Sequence, residues 1–194
     1  MNALEADSAQ IGHFFATQGR RVLSFLGYSD SGYEDAAAML AHAARILDEC
    51  DARDTLVNIG ATPGGIGAVY ELAQRRGFMT TGIVSTQARD AGAPLSPHVE
   101  VVFFVADTSW GGLLPGSMQL SPTSQAIVDH SDFVVAIGGG PIARDELDAV
   151  LRAGKTARFI AAEMNHEAAL AAAARKGLPA PNDFRGEAGE RFGA

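Results

Sequence analysis

Two stretches of the chain carry residues whose types and order suit the holding of an anion. Gly60-Ala-Thr-Pro-Gly-Gly-Ile-Gly67 follows the apolar run Leu56-Val-Asn-Ile59 and opens into Ala68-Val-Tyr-Glu-Leu-Ala73. Gly138-Gly-Gly-Pro-Ile-Ala-Arg-Asp-Glu146 follows Phe133-Val-Val-Ala-Ile137. Both read as strand, glycine turn, helix. Glycine lets the backbone take positive φ and approach a ligand closely, while a helix start offers unpaired N–H groups and the positive end of its dipole. Such a place suits a phosphate. The first stretch has neither the Gly-Lys-Ser/Thr of a Walker loop nor the G-x-G-x-x-G of a dinucleotide fold, so glycines serving a tight turn alone are the competing explanation. A third loop, Gly27-Tyr-Ser-Asp-Ser-Gly32, also ends an apolar run and adds Ser29. Glu146 is placed by the pattern in the opening turn of its helix, where a carboxylate is favoured by about 0.3–1 kcal/mol, so capping by itself would justify it.

Other chemistries find less support. His13, His42, His98, His130 and His166 are scattered without ligand spacing, and no metal site is expected. Ser29, Ser31 and Ser117 lack the G-x-S-x-G elbow of a serine hydrolase. Asp132, just before a strand, reads as a turn or cap residue rather than a base. Trp110 and Met118, in a loop rich in glycine, proline and serine from 107 to 122, fit equally a cover over a base and a hydrophobic plug or dimer contact.

These loops need a sheet to hold them. Val22–Leu26 reads as a first strand, followed by a helix over 33–49 with Leu40, Ala43, Ala44 and Leu47 on one face and Asp30 or Ser31 as its cap. Thr55–Ile59 is the next strand, and Ile66, Val69, Tyr70 and Ala73 repeat at helical spacing after the glycine loop. Further strands are expected over 78–84, 99–105, 133–137 and 156–161, with helices over 124–130, 141–153 and 167–176. Strands alternating with helices through short connections give right-handed crossovers and a parallel sheet. The expected fold is α/β, a Rossmann-like three-layer domain with a mostly parallel sheet of about six to seven strands. Residues 1–20 stand as an N-terminal extension, 21–178 as the domain, and 179–194, without periodicity, as a loose tail.

Composition sets outer bounds. With 194 residues, 47% hydrophobic and 20% charged, one domain with a sizeable core is expected. A net charge of −8 opposes binding to nucleic acid or to an anionic membrane surface. One cysteine, Cys50, allows no internal disulfide, and no run reaches the roughly 18 apolar residues of a spanning helix, so a cytoplasmic, reduced setting is expected.

In such sheets ligands lie at the carboxyl ends of the strands, near the point where strand order reverses, so the three loops are expected to converge on one ligand. The chain from about Val22 to Met164 resembles the lonely-guy and lysine-decarboxylase-like group together with the molybdenum cofactor carrier proteins. The matching residues are Phe25-Leu-Gly-Tyr-Ser29, Gly60 with Gly64-Gly-Ile-Gly-Ala-Val69, Gly77, Gly82-Ile-Val84, and Gly139-Gly140 with Glu146. Glu146 falls in the register of the family's P-G-G-x-G-T-x-x-E motif, although Gly138, Ile142 and Ala143 replace its proline, third glycine and threonine. Where the family's phosphoribohydrolases carry an Arg-Lys pair, this chain has Thr123 and Ser124. The resemblance implies a nucleotide or phosphoribosyl ligand, with Glu146 near the ribose and a homodimer as the assembly. The expected ligand set is Gly27, Ser29, Gly60, Thr62, Gly64, Gly65, Gly67, Thr123, Ser124 and Gly138 to Gly140, with Glu146 as the one catalytic candidate and no resident cofactor. With the Arg-Lys pair missing, binding without robust turnover is the first expectation. A nucleoside monophosphate N-glycosidase is the second, and a cofactor carrier or scaffold the third.

Overall fold

The computed structural model describes residues 1–193. Its centre is a seven-stranded sheet in which every neighbouring pair is parallel. The strands are β1 (Asn2–Glu5), β2 (Arg21–Gly27), β3 (Thr55–Ile59), β4 (Thr80–Ser85), β5 (Val101–Val105), β6 (Phe133–Ile137) and β7 (Thr156–Ile160), in the spatial order β1-β5-β4-β3-β2-β6-β7. The central strands β3 and β4 are buried at every position, which is why they read as unbroken runs rather than alternating ones. From β2 the chain steps outward through β3, β4 and β5, then returns to lay β6 on the opposite side of β2, with Leu23 beside Phe133 and Gly27 beside Ile137. Strand order reverses there, between β2 and β6.

The helices are α1 (Ser8–Gln18), α2 (Ala36–Asp48), α3 (Val69–Arg75), α4 (Thr86–Asp90), α5 (Pro122–His130), α6 (Pro141–Arg152), α7 (His166–Arg175) and α8 (Gly186–Phe192). Ala43, Ile46 and Leu47 of α2 join Val69, Tyr70 and Ala73 of α3 in one apolar cluster. Ile11 and Phe15 of α1, Ala126 and Ile127 of α5, and Leu147 and Val150 of α6 form the other. The sheet lies between them, a three-layer Rossmann-like arrangement.

Several elements differ from the sequence reading. Residues 1–20 belong to the sheet and its helical layer: Asn2 to Glu5 pair with Val101 to Phe104, and α1 is closed by a capping box in which the Gln10 amide donates to Asp7 Oδ1 and the Asp7 amide to Gln10 Oε1. The side chains of β1 are exposed, so no apolar pattern announces a strand held by backbone bonds. Helix α2 starts at Ala36 on an Asp35 cap rather than on Asp30 or Ser31, because Gly32 closes a turn onto Ser29 first. A Ser85 cap starts the short α4 inside the stretch expected to be irregular. In α6, Pro141 holds the first position, so Asp145 and Glu146 lie in the second turn and the helix opens with no acidic residue. The capping role expected of Glu146 is therefore absent. The tail is structured as well, since α8 buries Ala188 completely and packs on α6.

Candidate functional site

A cleft of about 530 Å³ opens at the carboxyl ends of β2, β3 and β4, beside the place where strand order reverses. Gly27 and Ser29 border it from the first loop, Gly60, Ala61 and Thr62 from the second, and Ile142, Ala143 and Glu146 from α6. Phe25, Leu26, Ile59, Ile83 and Ile127 make its walls apolar, and Trp110, 55% exposed, stands at its edge. The size and the mixture of apolar wall with a few polar groups suit a small organic ligand.

The first glycine loop keeps its shape through specific contacts. Ala61 is buried with φ at +57°, a left-handed conformation costly for a residue with a Cβ. Its amide donates to the Tyr70 hydroxyl, its carbonyl accepts from the Ser96 amide, and the Tyr70 hydroxyl donates to the Thr81 carbonyl. Tyr70, read in the sequence as one more apolar helix position, thus braces the loop from beneath. A Cβ on Gly65 would stand 2.2 Å from the Tyr28 carbonyl oxygen, and one on Gly67 1.8 Å from that of Thr62. Those two glycines serve close packing. Around Gly60, by contrast, nothing lies within 4 Å of such a Cβ. The amides of Thr62, Gly64 and Gly65 find no partner among the described residues, whereas Ile66 donates to the Tyr28 carbonyl.

The second glycine loop is covered. The Ala188 amide donates to the Gly139 carbonyl, the Tyr28 hydroxyl donates to the Arg185 carbonyl at 2.6 Å, and a Cβ on Gly138 would meet the Tyr28 ring at 2.6 Å. Glu187 lies over Gly140, with Oε2 3.7 Å from where a Cβ would stand. Gly138, Gly139 and Gly140 do not border the cleft, and neither do Gly64, Gly65, Gly67 and Ser124. The structure thus brings Gly27, Ser29, Gly60, Thr62, Thr123 and Glu146 of the expected set together on one cavity.

Its most buried polar residues are Ser85, whose hydroxyl is spent on the Asp107 carbonyl, and Thr123 and Glu146, each 3% exposed. Ser124 stands behind them. Its Oγ accepts from the Gly112 amide at 2.7 Å and donates to Glu146 Oε1 at 2.6 Å, leaving Glu146 Oε2 without a partner among the described residues. Burial pushes the Glu146 carboxyl up to about 7, with the Ser124 bond opposing and nearby Asp145 adding to the rise. Near neutral pH it therefore exists in both forms. Thr123 Oγ1 is the one buried side-chain polar atom without any hydrogen bond among the described residues. The Thr123 amide is anchored by Asp107 Oδ2, and Asp107 Oδ1 accepts from the amide and hydroxyl of Ser109. Burial pushes Asp107 up, but these bonds outweigh it and leave its carboxyl below the usual value. Asp107 and Tyr70 were both missed by sequence reading. A polar residue entering a long loop was the only clue to the first, and nothing marked the second.

No residue bordering the cleft is basic. Arg144 is held by Asp145 at 2.7 Å, and Asp145 Oδ2 accepts from the Leu113 amide. Among the described residues no three His, Cys, Asp or Glu side chains are grouped to hold a metal, and no helix is long and apolar enough to cross a membrane.

No family model matches the chain, and no curated protein matches it either. Solved structures do. The Moco carrier protein from Chlamydomonas reinhardtii superposes with a TM-score of 0.52 at 17% identity, over 81% of this chain and 85% of that one. The molybdenum cofactor binding protein from the phototrophic bacterium Rippkaea orientalis gives 0.52 at 15% identity, over 72% and 76%. The X-ray structure of TM1055 gives 0.51 at 19% identity, over 71% and 72%. At these identities the likeness is one of fold: the chain shares the Rossmann-like architecture of these proteins.

Proposed function

We propose that this protein binds a phosphorylated heterocyclic small molecule, a nucleotide or a cofactor of similar build, and holds it without efficient turnover. The observation that carries the reading is the cleft itself: apolar walls, the unpartnered Thr62 amide at one rim, and a buried carboxyl at the floor with no basic residue in the lining. The loop from Gly60 to Gly65, whose Thr62, Gly64 and Gly65 amides have no partner among the described residues, is the place for a phosphate. Cleavage of an N-glycosidic bond asks for an ionised carboxylate beside the developing positive charge and a counter-charge for the phosphate. Glu146 is only partly ionised near pH 7, and Thr123 and Ser124 carry no charge. The sequence resemblance to the lonely-guy group supports the nucleotide class. A carrier role is the second reading, favoured by the likeness of fold to proteins whose names state that they carry or bind the molybdenum cofactor. We also propose the homodimer that the resemblance implies; light scattering that finds only a 20.2 kDa species removes it.

The test is mass spectrometry of what leaves the denatured protein, together with a nucleoside monophosphate panel scored for thermal shift and for free base. Retention of a phosphorylated heterocycle, or a stabilisation approaching about 2.7 kcal/mol at a hundredfold excess over Kd, is expected, with no base released. Robust release that disappears in Glu146→Gln establishes the hydrolase instead.

A further inference from the structure

The floor of the cleft presents two hydrogen-bonding atoms that the protein itself leaves unused, Thr123 Oγ1 and Glu146 Oε2. A hydroxyl buried to 3% exposure without a partner is costly and uncommon in a folded protein. The geometry around it shows why no internal partner is found. Asp107 takes the Thr123 amide, the Ser124 hydroxyl is spent on Glu146, the buried Ser85 hydroxyl donates to the Asp107 carbonyl, and Leu26, Ile83, Ile127 and Ile142 of the lining are apolar.

Resting on the reading of the cleft as the site of a nucleotide-like ligand, we infer that Thr123 Oγ1 and Glu146 Oε2 together bind the polar edge of the ligand's uncharged heterocycle, an adjacent hydrogen-bond donor and acceptor. The ring then enters first and the phosphate stays at the Gly60 rim. Charge and burial both favour this direction. A phosphate dianion at the floor would face a buried carboxyl with no cation, whereas at the rim it meets the unpartnered Thr62 amide, and the one carboxylate there, Asp30, is exposed and so screened by water. A ribose at the floor would bring several hydroxyls against apolar walls that satisfy none of them, while a planar ring needs bonds along one edge only. The edge class is an amidine or a lactam. Threonine donates and accepts, and the acid form of Glu146, which burial favours, donates from Oε2 while Oε1 accepts from Ser124.

Direct titration of four probes into wild type, Thr123→Val and Thr123→Ser tests the orientation: adenosine 5′-monophosphate, inosine 5′-monophosphate, purine riboside 5′-monophosphate, which lacks the substituent that completes the edge, and ribose 5-phosphate. Wild type is expected to bind the tighter of the first two about 10-fold more strongly than purine riboside monophosphate, one hydrogen bond's worth. Thr123→Val should abolish that preference, Thr123→Ser should keep it, and ribose 5-phosphate should not distinguish the variants. Because valine removes an unsatisfied hydroxyl at constant shape, ligand-free Thr123→Val should melt no lower than wild type. Equal loss for ribose 5-phosphate and the nucleotides would put sugar or phosphate at the floor and overturn the inference while sparing the nucleotide reading. Unchanged affinities with a lowered melting point would make Thr123 purely structural and overturn it likewise. Failure of every probe to bind overturns both readings.

Discussion

The two glycine loops look alike in sequence and meet different fates. The loop from 60 to 67 borders a cavity at Gly60, Ala61 and Thr62: Gly60 has open space around it, and the Thr62 amide has no acceptor among the described residues. The loop from 138 to 140 faces protein. Gly138 is pressed by the Tyr28 ring, Gly139 by Ala143, and α8 lies across Gly139 and Gly140. Gly65, Gly67, Gly138 and Gly139 are required by lack of room for a Cβ or by positive φ, whereas Gly60, the glycine that borders the cleft, is required by neither. A run of glycines thus reports close approach at some of its positions without saying which of them, if any, faces a ligand.

Substitutions can break this contrast. Gly139→Val is expected to have the largest effect, a loss of about 4 kcal/mol or outright failure to fold, because φ is +131° and the new Cβ would lie 2.5 Å from that of Ala143. Chemical denaturation checks it, and a mild result would mean that the second loop is free to open toward a ligand.

The second effect concerns what α6 gives the cleft in place of a phosphate grip. Glu146 has an ordinary value of 4.5 that burial raises to about 7. Below pH 4.5 both folded and unfolded states hold the proton; as pH rises the unfolded state ionises first, so stability falls between about 4.5 and 7. The fall amounts to about 3 kcal/mol. Glu146→Gln should match wild type near pH 4 and exceed it at pH 8 by an amount of that order, read from urea midpoints at the two pH values. A variant less stable than wild type at pH 8 would mean that Glu146 is held as a carboxylate.

A smaller change is expected at the cover. Tyr28→Phe removes the hydroxyl that donates to the Arg185 carbonyl, and about 1 kcal/mol should be lost, with earlier proteolysis within 185–193 than elsewhere. Smallest of all is Gly60→Ala. With nothing within 4 Å of the added Cβ and no positive φ, stability should move by less than about 0.5 kcal/mol, while ligand affinity falls because the methyl group enters the cleft rim. If Gly60→Ala destabilises as strongly as Gly139→Val, the two loops are equivalent after all.

The sequence by itself determined the parallel sheet and most of its helices. Runs such as Phe133–Ile137 are apolar enough to be buried on both faces, and the 3.6-residue spacing of Ala43, Leu47, Val69 and Tyr70 leaves one answer for where those helices pack. It also pointed to the ends of β2, β3 and β6, and the cavity is bordered by the first two loops together with Thr123 and Glu146, whereas Gly138 to Gly140 stand outside it. Tertiary structure alone decided the rest. The exposed β1 is held by backbone bonds to β5, which leave no trace in side-chain pattern, and α8 gains its order only by docking on Gly139 and α6. Helix α6 begins at Pro141, where the sequence already put it, so Glu146 stands in the second turn, and only the packing of α6 against its neighbours places that carboxyl on the wall of a cavity. That burial, a property of everything packed around one carboxyl and of no local sequence, is what raises its pKa and leaves its neighbour Thr123 without a partner.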